Sequence, residues 1–319
     1  MTIRVLRATA LSVAAALALT ACGDSSEPDA GSAGRTPAED AAFPRTVEHA
    51  MGSTEIPEQP ERVVVLDTGE LDAALSLGVT PVGAVTTDVS GEFLSYLADD
   101  AEGIEVVGTI AEPNLEEIAA LEPDLILSNQ VRHEAIYDQL SQMAPTVFAA
   151  DLGDTWKENF LLDAEALGRE DQAEELLAEY EQQADELGEV IGDPASTTVS
   201  PLRFVQGAIR VYQPESFVGT VLADIGLDQV ELPTDRTPTF AELGLEEITR
   251  ADADVILYSS YGPVSDSGEA DVVAGPLWPM LTAVAEGRAY AVEDDVFYTG
   301  IGPMAAQLQL DALEGFLAG

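Results

Sequence analysis

Two stretches of this chain are copies of one another. Leu115-Glu-Glu-Ile-Ala-Ala-Leu-Glu-Pro-Asp-Leu-Ile-Leu127 aligns without a gap to Leu245-Glu-Glu-Ile-Thr-Arg-Ala-Asp-Ala-Asp-Val-Ile-Leu257, with seven of the thirteen positions identical. Each reads as a helix opening on two glutamates, a polar break, and a buried strand. A looser match pairs residues 66–78 with 211–226: strand end, polar turn, helix, glycine. The two motifs run in the same order at similar offsets. Helix–strand units of alanine-rich chains resemble one another, which is the plain alternative. The shared order favours a duplication, and so two lobes of similar fold rather than one continuous sheet.

The surroundings fit that frame. Apolar strand runs at 62–66, 81–85, 105–107, 124–128 and 146–149 alternate with helical periodicity at 70–77, at 115–121 and in a helix ending at Met143. The pattern restarts with strands at 197–205, 208–211, 254–258 and 288–292. Helices are expected at 216–225, 245–251, 277–284 and 304–317, with a Gly- and Ser-containing loop at 261–274. The expectation is an α/β chain of two similar Rossmann-like lobes, 44–153 and 193–319, with mostly parallel sheets.

Between them lie residues 154–192. Trp156, Phe160, Ala164 and Leu167 recur at helical steps, as do Ala173, Leu176, Leu177, Tyr180, Ala184 and Leu187. Gly168 and Gly192 suit helix stops. By periodicity alone this is an ordinary surface helix pair. Between two repeated lobes it becomes a bridge, with residues up to Leu167 packing on the first lobe and Glu170 onward making the crossing. A packed helix bends little, so the lobes are expected to rotate by a few degrees rather than clamp widely.

The first residues read as an export signal. Arg4 and Arg7 precede an apolar run at 8–19, too short to span a bilayer as a helix. Leu19-Thr20-Ala21-Cys22 resembles a bacterial lipoprotein cleavage box, and Cys22 is the one cysteine of the chain. Residues 1–21 are expected to be removed, Cys22 lipidated, and residues 22–43, rich in Ser, Gly, Pro and acids, to act as a flexible tether. The alternative is a signal peptide that merely contains a cysteine. A lone cysteine leaves no internal disulfide in an oxidising compartment. The expected location is extracytoplasmic, lipid-anchored to the cell membrane, with no other membrane contact.

Charge and motifs exclude several functions. Lys plus Arg number 13 against 59 Asp plus Glu, a formal net charge of −46. Such a chain repels nucleic acid and anionic lipid. Two histidines, His49 and His133, cannot build a three-His metal site. No Gly-x-Ser-x-Gly, P-loop or dinucleotide fingerprint stands in a suitable setting, and so many acids make any carboxylate pair uninformative. No cofactor and no protein–metal bond are expected, and the chain reads as a monomer.

Four further stretches carry a family resemblance: residues 62–83, running from Arg62-Val-Val-Val-Leu66 to Leu77-Gly-Val-Thr-Pro-Val-Gly83; Asn114-Leu-Glu-Glu-Ile118 with Glu122-Pro-Asp-Leu-Ile126; Arg210-Val-Tyr-Gln-Pro-Glu-Ser-Phe217 with Leu222-Ala-Asp-Ile-Gly226; and Gly302-Pro-Met-Ala-Ala306. With lipobox, tether and bridge, the chain resembles the helix-bridged (class III) solute-binding lipoproteins of ABC importers for ferric siderophores, haem and vitamin B12, and among them the ferric-siderophore subset. The resemblance implies a ligand cleft between the lobes. It also implies one glutamate per lobe, Glu116 and Glu246, docking on arginine pockets of the transporter's transmembrane subunits, with Glu117 and Glu247 as substitutes. Candidate ligand-binding residues at strand ends are Asn129 and Arg132 in the first lobe, and Arg210, Tyr212, Tyr258, Tyr261, Phe297 and Tyr298 in the second. Aromatics and guanidinium donors suit siderophore arms and their carboxylate, catecholate or hydroxamate oxygens. Phe297 stands where the family often has Trp. A chain of this charge tolerates a ferric hydroxamate better than a trianionic catecholate. The alternatives are a haem- or corrinoid-binding protein, a surface enzyme, or a structural lipoprotein.

The acidity itself reads as adaptation to high salt, where counterions screen self-repulsion. The melting temperature is then expected to rise from low to molar NaCl, followed by circular dichroism; a midpoint that does not rise removes this explanation.

Overall fold

The first sheet is built from strands too apolar to face water on either side. In the computed structural model, which describes residues 43–234 and 237–318, a hairpin of β1 (Arg45–His49) and β2 (Gly52–Ile56) precedes it. The sheet comprises β3 (Val63–Val65), β4 (Gly83–Thr86), β5 (Glu105–Thr109), β6 (Leu125–Asn129) and β7 (Thr146–Ala149). Their order is β5-β4-β3-β6-β7, parallel throughout. Every residue of β3, β4, β6 and β7 is buried, as a parallel sheet covered on both faces requires. The covering helices include α1 (Thr68–Ser76) and α2 (Leu115–Ala120). After β6 comes a helical turn, α3 (Gln130–His133), capped by the Asn129 side chain. The helix expected to end at Met143 is broken into a 3-10 turn and α4 (Tyr137–Leu140).

α5 (Trp156–Leu167) and α6 (Glu170–Ile191) follow. Gly168 stops α5 in the left-handed region, φ 66° and ψ 44°. The second lobe then begins with β8 (Thr198–Val205) and β9 (Ala208–Tyr212), followed by α7 (Phe217–Ile225), β10 (Asp228–Gln229) and β11 (Phe240–Leu243). A 3-10 helix at Leu245–Ala251 leads to β12 (Val255–Ser260). The expected loop at 261–274 carries α8 (Val264–Ser267) and α9 (Glu269–Val273). The expected helix at 277–284 is broken at Leu281, whose ψ of 138° is extended, leaving a 3-10 turn and α10 (Thr282–Ala285). β13 (Ala289–Ala291) and α11 (Pro303–Leu317) end the lobe.

The strand order here is β11-β9-β8-β12-β13, with β10 beside β8. Setting β10 aside, both sheets run third-second-first-fourth-fifth by chain order. They differ in direction. Gln206-Gly207 turns the chain directly back, with Gly207 at φ 80°, so β8 and β9 pair antiparallel and the second sheet is mixed. The looser sequence match therefore joins unlike places: residues 66–78 follow the first strand of one sheet, and 211–226 the second strand of the other. The tight match joins like places, since both copies end on the fourth strand. Its shared aspartate has a shared task. Asp124 accepts the backbone N–H groups of Glu61 and Arg62 at 2.9 Å, and Asp254 accepts that of Thr198 at 2.9 Å, each at the start of the central strand alongside.

α5 packs on α1, β1 and β7, while α6 packs on α11 and α7. This is the expected division, with one difference. The N-terminal end of α5 touches the second lobe too: Trp156 Nε1 donates to Thr220 Oγ1 at 3.0 Å, and its ring meets Phe217 edge-on at 5.5 Å. No helix among the described residues is long and apolar enough to cross a membrane. The expected signal peptide, Cys22 and all of the tether except Phe43 lie outside the described residues.

A buried acid joins the lobes. Asp72 of α1 accepts the Met304 and Ala305 N–H groups at the start of α11, at 2.9 and 3.0 Å, and the Tyr96 hydroxyl at 2.9 Å. Gly302, at φ 129°, lets the backbone pass: a Cβ there would lie 2.6 Å from Asp72 Cγ. Burial pushes the Asp72 carboxyl up to about 7, against the hydrogen bonds from Met304, Tyr96 and Ala305. Asp72→Ala is expected to lower stability in urea melts by about 2 kcal/mol. The loss should shrink as pH rises from 3.8 to about 7, because the folded wild type holds a proton there that the unfolded chain releases.

Candidate functional site

Strand alternation decides what the second lobe shows to the first. On β8 and β9, Leu202, Phe204, Ile209 and Val211 enter a core cluster with Trp278. Arg203, Arg210 and Tyr212 point the other way. They line a cavity of about 550 Å3, the size of a small-molecule site. Asp67, Thr68, Thr87, Asp88, Ile110, Val131 and Arg132 of the first lobe form the opposing wall. Asp151, Leu152 and Gly153, ahead of the bridge, complete it on one side.

The β8–β9 register sets Arg203 directly opposite Arg210. Two guanidiniums side by side repel, and the site treats each differently. Arg203 is 5% exposed. Its Nε donates to Asp294 Oδ1 at 2.7 Å, a second nitrogen bonds the other Asp294 oxygen and Thr299, and a third reaches the Tyr212 hydroxyl at 3.3 Å. Ser259 and Thr299 hydroxyls donate to the same carboxylate at 2.7 and 2.9 Å. Burial works against the charge of Arg203, yet Asp294 and Tyr212 hold its pKa above the ordinary value. Its guanidinium also lies 4.2 Å over the Tyr261 ring.

Arg210 is half-buried and lies 4.4 Å over the Phe240 ring. Glu242 stands across from it on β11. The Arg210 Nε is buried with no hydrogen-bond partner among the described residues. A donor in that state is costly unless something accepts from it.

Of the residues expected at the site, Arg132, Arg210, Tyr212, Tyr261, Phe297 and Tyr298 line the cavity. Tyr212 and Tyr298 form an aromatic wall, with ring centroids 4.8 Å apart, and the buried Tyr298 hydroxyl donates to Leu257 O at 2.9 Å. Two do not line it. Tyr258 has the wrong parity on β12 and packs against Trp278 on the far face, with centroids at 5.1 Å. Asn129 is fully buried behind the first-lobe wall, where its Nδ2 donates to Asp67 and Glu70 at 3.0 and 3.1 Å. Arg132 Nε reaches Asp67 Oδ2 at 3.2 Å. Arg203 and Asp67 were not singled out from the sequence. An arginine inside the apolar run Pro201-Leu-Arg-Phe-Val205 was the available signal for the first.

His133 is buried among the residues around α3, its ring nitrogens bonded to Ser128 Oγ at 2.7 Å and Ile110 O at 2.8 Å. Away from the cavity, Glu116 is exposed in the first turn of α2 and Glu246 in the first turn of the 3-10 helix before β12. Glu117 is exposed as well. Glu247 is tied down, accepting Gly244 N–H at 3.0 Å and pairing with Arg250 at 2.9 Å.

The cavity wall thus offers guanidinium donors, hydroxyls and aromatic faces. Among the described residues, three arginines and three aspartates line it, and Arg203 is further paired with Asp294. Such a surface suits an oxygen-rich ligand.

Known proteins resemble this arrangement. The probable siderophore-binding lipoprotein YfiY of Bacillus subtilis is 40% identical over 283 residues, covering 85% of this chain and 87% of that protein. The Fe(3+)-citrate-binding protein YfmC of the same species is 29% identical over 293 residues, covering 90% and 89%. The crystal structure of Staphylococcus aureus SirA complexed with staphyloferrin B superposes with a TM-score of 0.76 at 30% identity, covering 86% of this chain and 98% of that one. Residues 63–296 match the periplasmic binding protein family, whose members bind and deliver rather than catalyse. From the first parallel strand at residue 63 to residue 296, this chain belongs to the periplasmic binding protein family.

Proposed function

We propose that this chain is the extracytoplasmic substrate-binding lipoprotein of an ABC importer. Anchored through Cys22 and monomeric, it captures a ferric siderophore in the inter-lobe cleft and delivers it to the membrane permease. Arg210 carries the reading: a guanidinium fixed on Phe240 with a buried, unpartnered Nε, beside the aromatic wall of Tyr212 and Tyr298. In a siderophore the iron is already enclosed by oxygen donors. The protein then needs to meet only the outside of the complex, with cations for anionic oxygens and rings for the arms. The names of YfiY and of the SirA complex support this ligand class. The net charge of −46 favours a ferric hydroxamate over a trianionic catecholate.

Tryptophan fluorescence tests it. Trp156 packs on Phe217, which lines the cavity, whereas Trp278 lies on the far face of the sheet. Submicromolar quenching by a ferric hydroxamate is expected, with none by the iron-free compound or by haem, and Trp156→Phe should remove the signal. Arg210→Ala should weaken affinity by about tenfold to a hundredfold, the loss of a charged hydrogen bond, while Tyr258→Phe leaves it unchanged. Binding of haem or a corrinoid alone, or turnover of a test substrate, would overturn the reading.

Glu116 and Glu246, exposed on the two copies of the repeat, are proposed to dock on the permease. Glu116→Arg combined with Glu246→Arg is expected to abolish uptake of the labelled ferric complex by cells while leaving affinity in solution intact. Normal transport by the double variant would remove the docking role.

A further inference from the structure

Behind the first-lobe wall lies a group of acids that the cleft does not use directly. Asp67 caps α1, its Oδ1 accepting Thr68 N–H at 2.7 Å. Its Oδ2 accepts from Asn129 and from Arg132, whose side chain is 47% exposed and lines the cleft. One turn further along α1, Glu70 is buried; its Oε1 shares the Asn129 amide, and its Oε2 is buried without a partner. Asp163 of α5 is buried as well and feels the charge of Glu70. Three carboxyl groups thus sit together; Arg132 pairs with Asp67 and its charge is felt by Glu70. Among the other charged groups on these packed elements, Asp72 of α1 accepts from the start of α11, Lys157 of α5 pairs with Glu181 and Asp224, and Arg45 of β1 pairs with Glu170. β4 carries no ionisable residue, the two acids of α11, Asp311 and Glu314, are exposed, and the His133 ring, which faces Asp67, is bonded to Ser128 and Ile110.

Resting on the function proposed above, we propose that Glu70 is a positioning residue for ligand capture. Its proton lets Asp67 hold Arg132 at the cleft wall, and a ligand that draws Arg132 away brings proton uptake into the Asp67–Glu70–Asp163 cluster. The chemistry follows from electroneutrality in a poorly solvated place. Asp67 accepts from Arg132, Asn129 and a backbone N–H. Glu70 shares the Asn129 amide through one oxygen, while its other oxygen is buried with no partner among the described residues. Burial, and after it the charge of Asp67, push the Glu70 carboxyl up to about 8, and burial with Glu70 pushes Asp163 upward too. Once Arg132 turns to a ligand oxygen, Glu70 loses a charge that favours its ionised form, and its affinity for a proton rises. Cleft occupancy and proton uptake are then one linked event, which reaches the bridge through Asp163 on α5.

The test starts without ligand. The infrared C=O band of protonated carboxyl groups is titrated with pH in the purified wild type, Glu70→Gln and Arg132→Ala. A band present at neutral pH in the wild type and diminished in Glu70→Gln is expected. Arg132→Ala should move its titration midpoint upward. Identical wild-type and Glu70→Gln spectra, or an unmoved midpoint in Arg132→Ala, overturn the proposal; the exposed Arg132 keeps the test open should Glu70→Gln fold poorly. Ligand is then added by calorimetry with a ferric hydroxamate near pH 8 in phosphate and in Tris, whose ionisation heats differ. Uptake of a fraction of a proton by the wild type, absent in Glu70→Gln, supports the linkage. Equal heats in both buffers overturn it and leave the siderophore reading standing. Failure of the hydroxamate to bind at all overturns that reading instead, while the infrared titration still decides the cluster.

Discussion

The cleft depends on one ion pair. The register of β8 and β9 forces Arg203 and Arg210 to face each other from adjacent strands, an arrangement that is unfavourable unless one charge is answered from within the protein. Asp294 answers Arg203 from both carboxylate oxygens, with Ser259 and Thr299 completing the carboxylate's shell. That leaves Arg210 as the cation whose buried nitrogen is still unpartnered. Without Asp294 the two arginines would splay apart, and the platform they form with Tyr212, Tyr261 and Tyr298 would lose its shape. The fixed pair serves as scaffold and the neighbouring cation as probe.

Much of this architecture could be read from the chain. The tight repeat marked the fourth strand of each sheet, and the glycines at 168 and 192 marked the ends of the bridging helices. The reversed second strand was hidden because antiparallel and parallel buried strands carry the same apolar run; only the short Gln206-Gly207 link, too brief for a crossover helix, tells them apart. The 3-10 form of the second copy was hidden as well, since Leu-Glu-Glu-Ile suits either winding.

At the site, residue type was a better guide than position. Tyr212 and Tyr258 look alike as aromatics at strand ends, but one has the parity of Arg203 and Arg210 and the other that of Phe204 and Ile256. Asn129 was drawn in by its place after a strand, yet its amide holds two carboxylates rather than a ligand. Arg203 was overlooked because its partner, Asp294, lies 91 residues away. Long-range pairing of that kind leaves no periodic trace.

The contact between Asp72 and the start of α11 bears on how the molecule comes together. An acid of the first lobe finishes the last helix of the second, and α11 packs against α1 as well as α6 and α7. One core cluster accordingly runs through both lobes and the bridge. The C-terminal helix cannot reach its final state until the first lobe is in place to receive it. Two lobes that are separate as architecture are therefore a single unit of cooperativity, and the hinge between them is part of the fold's stability as well as a joint for motion.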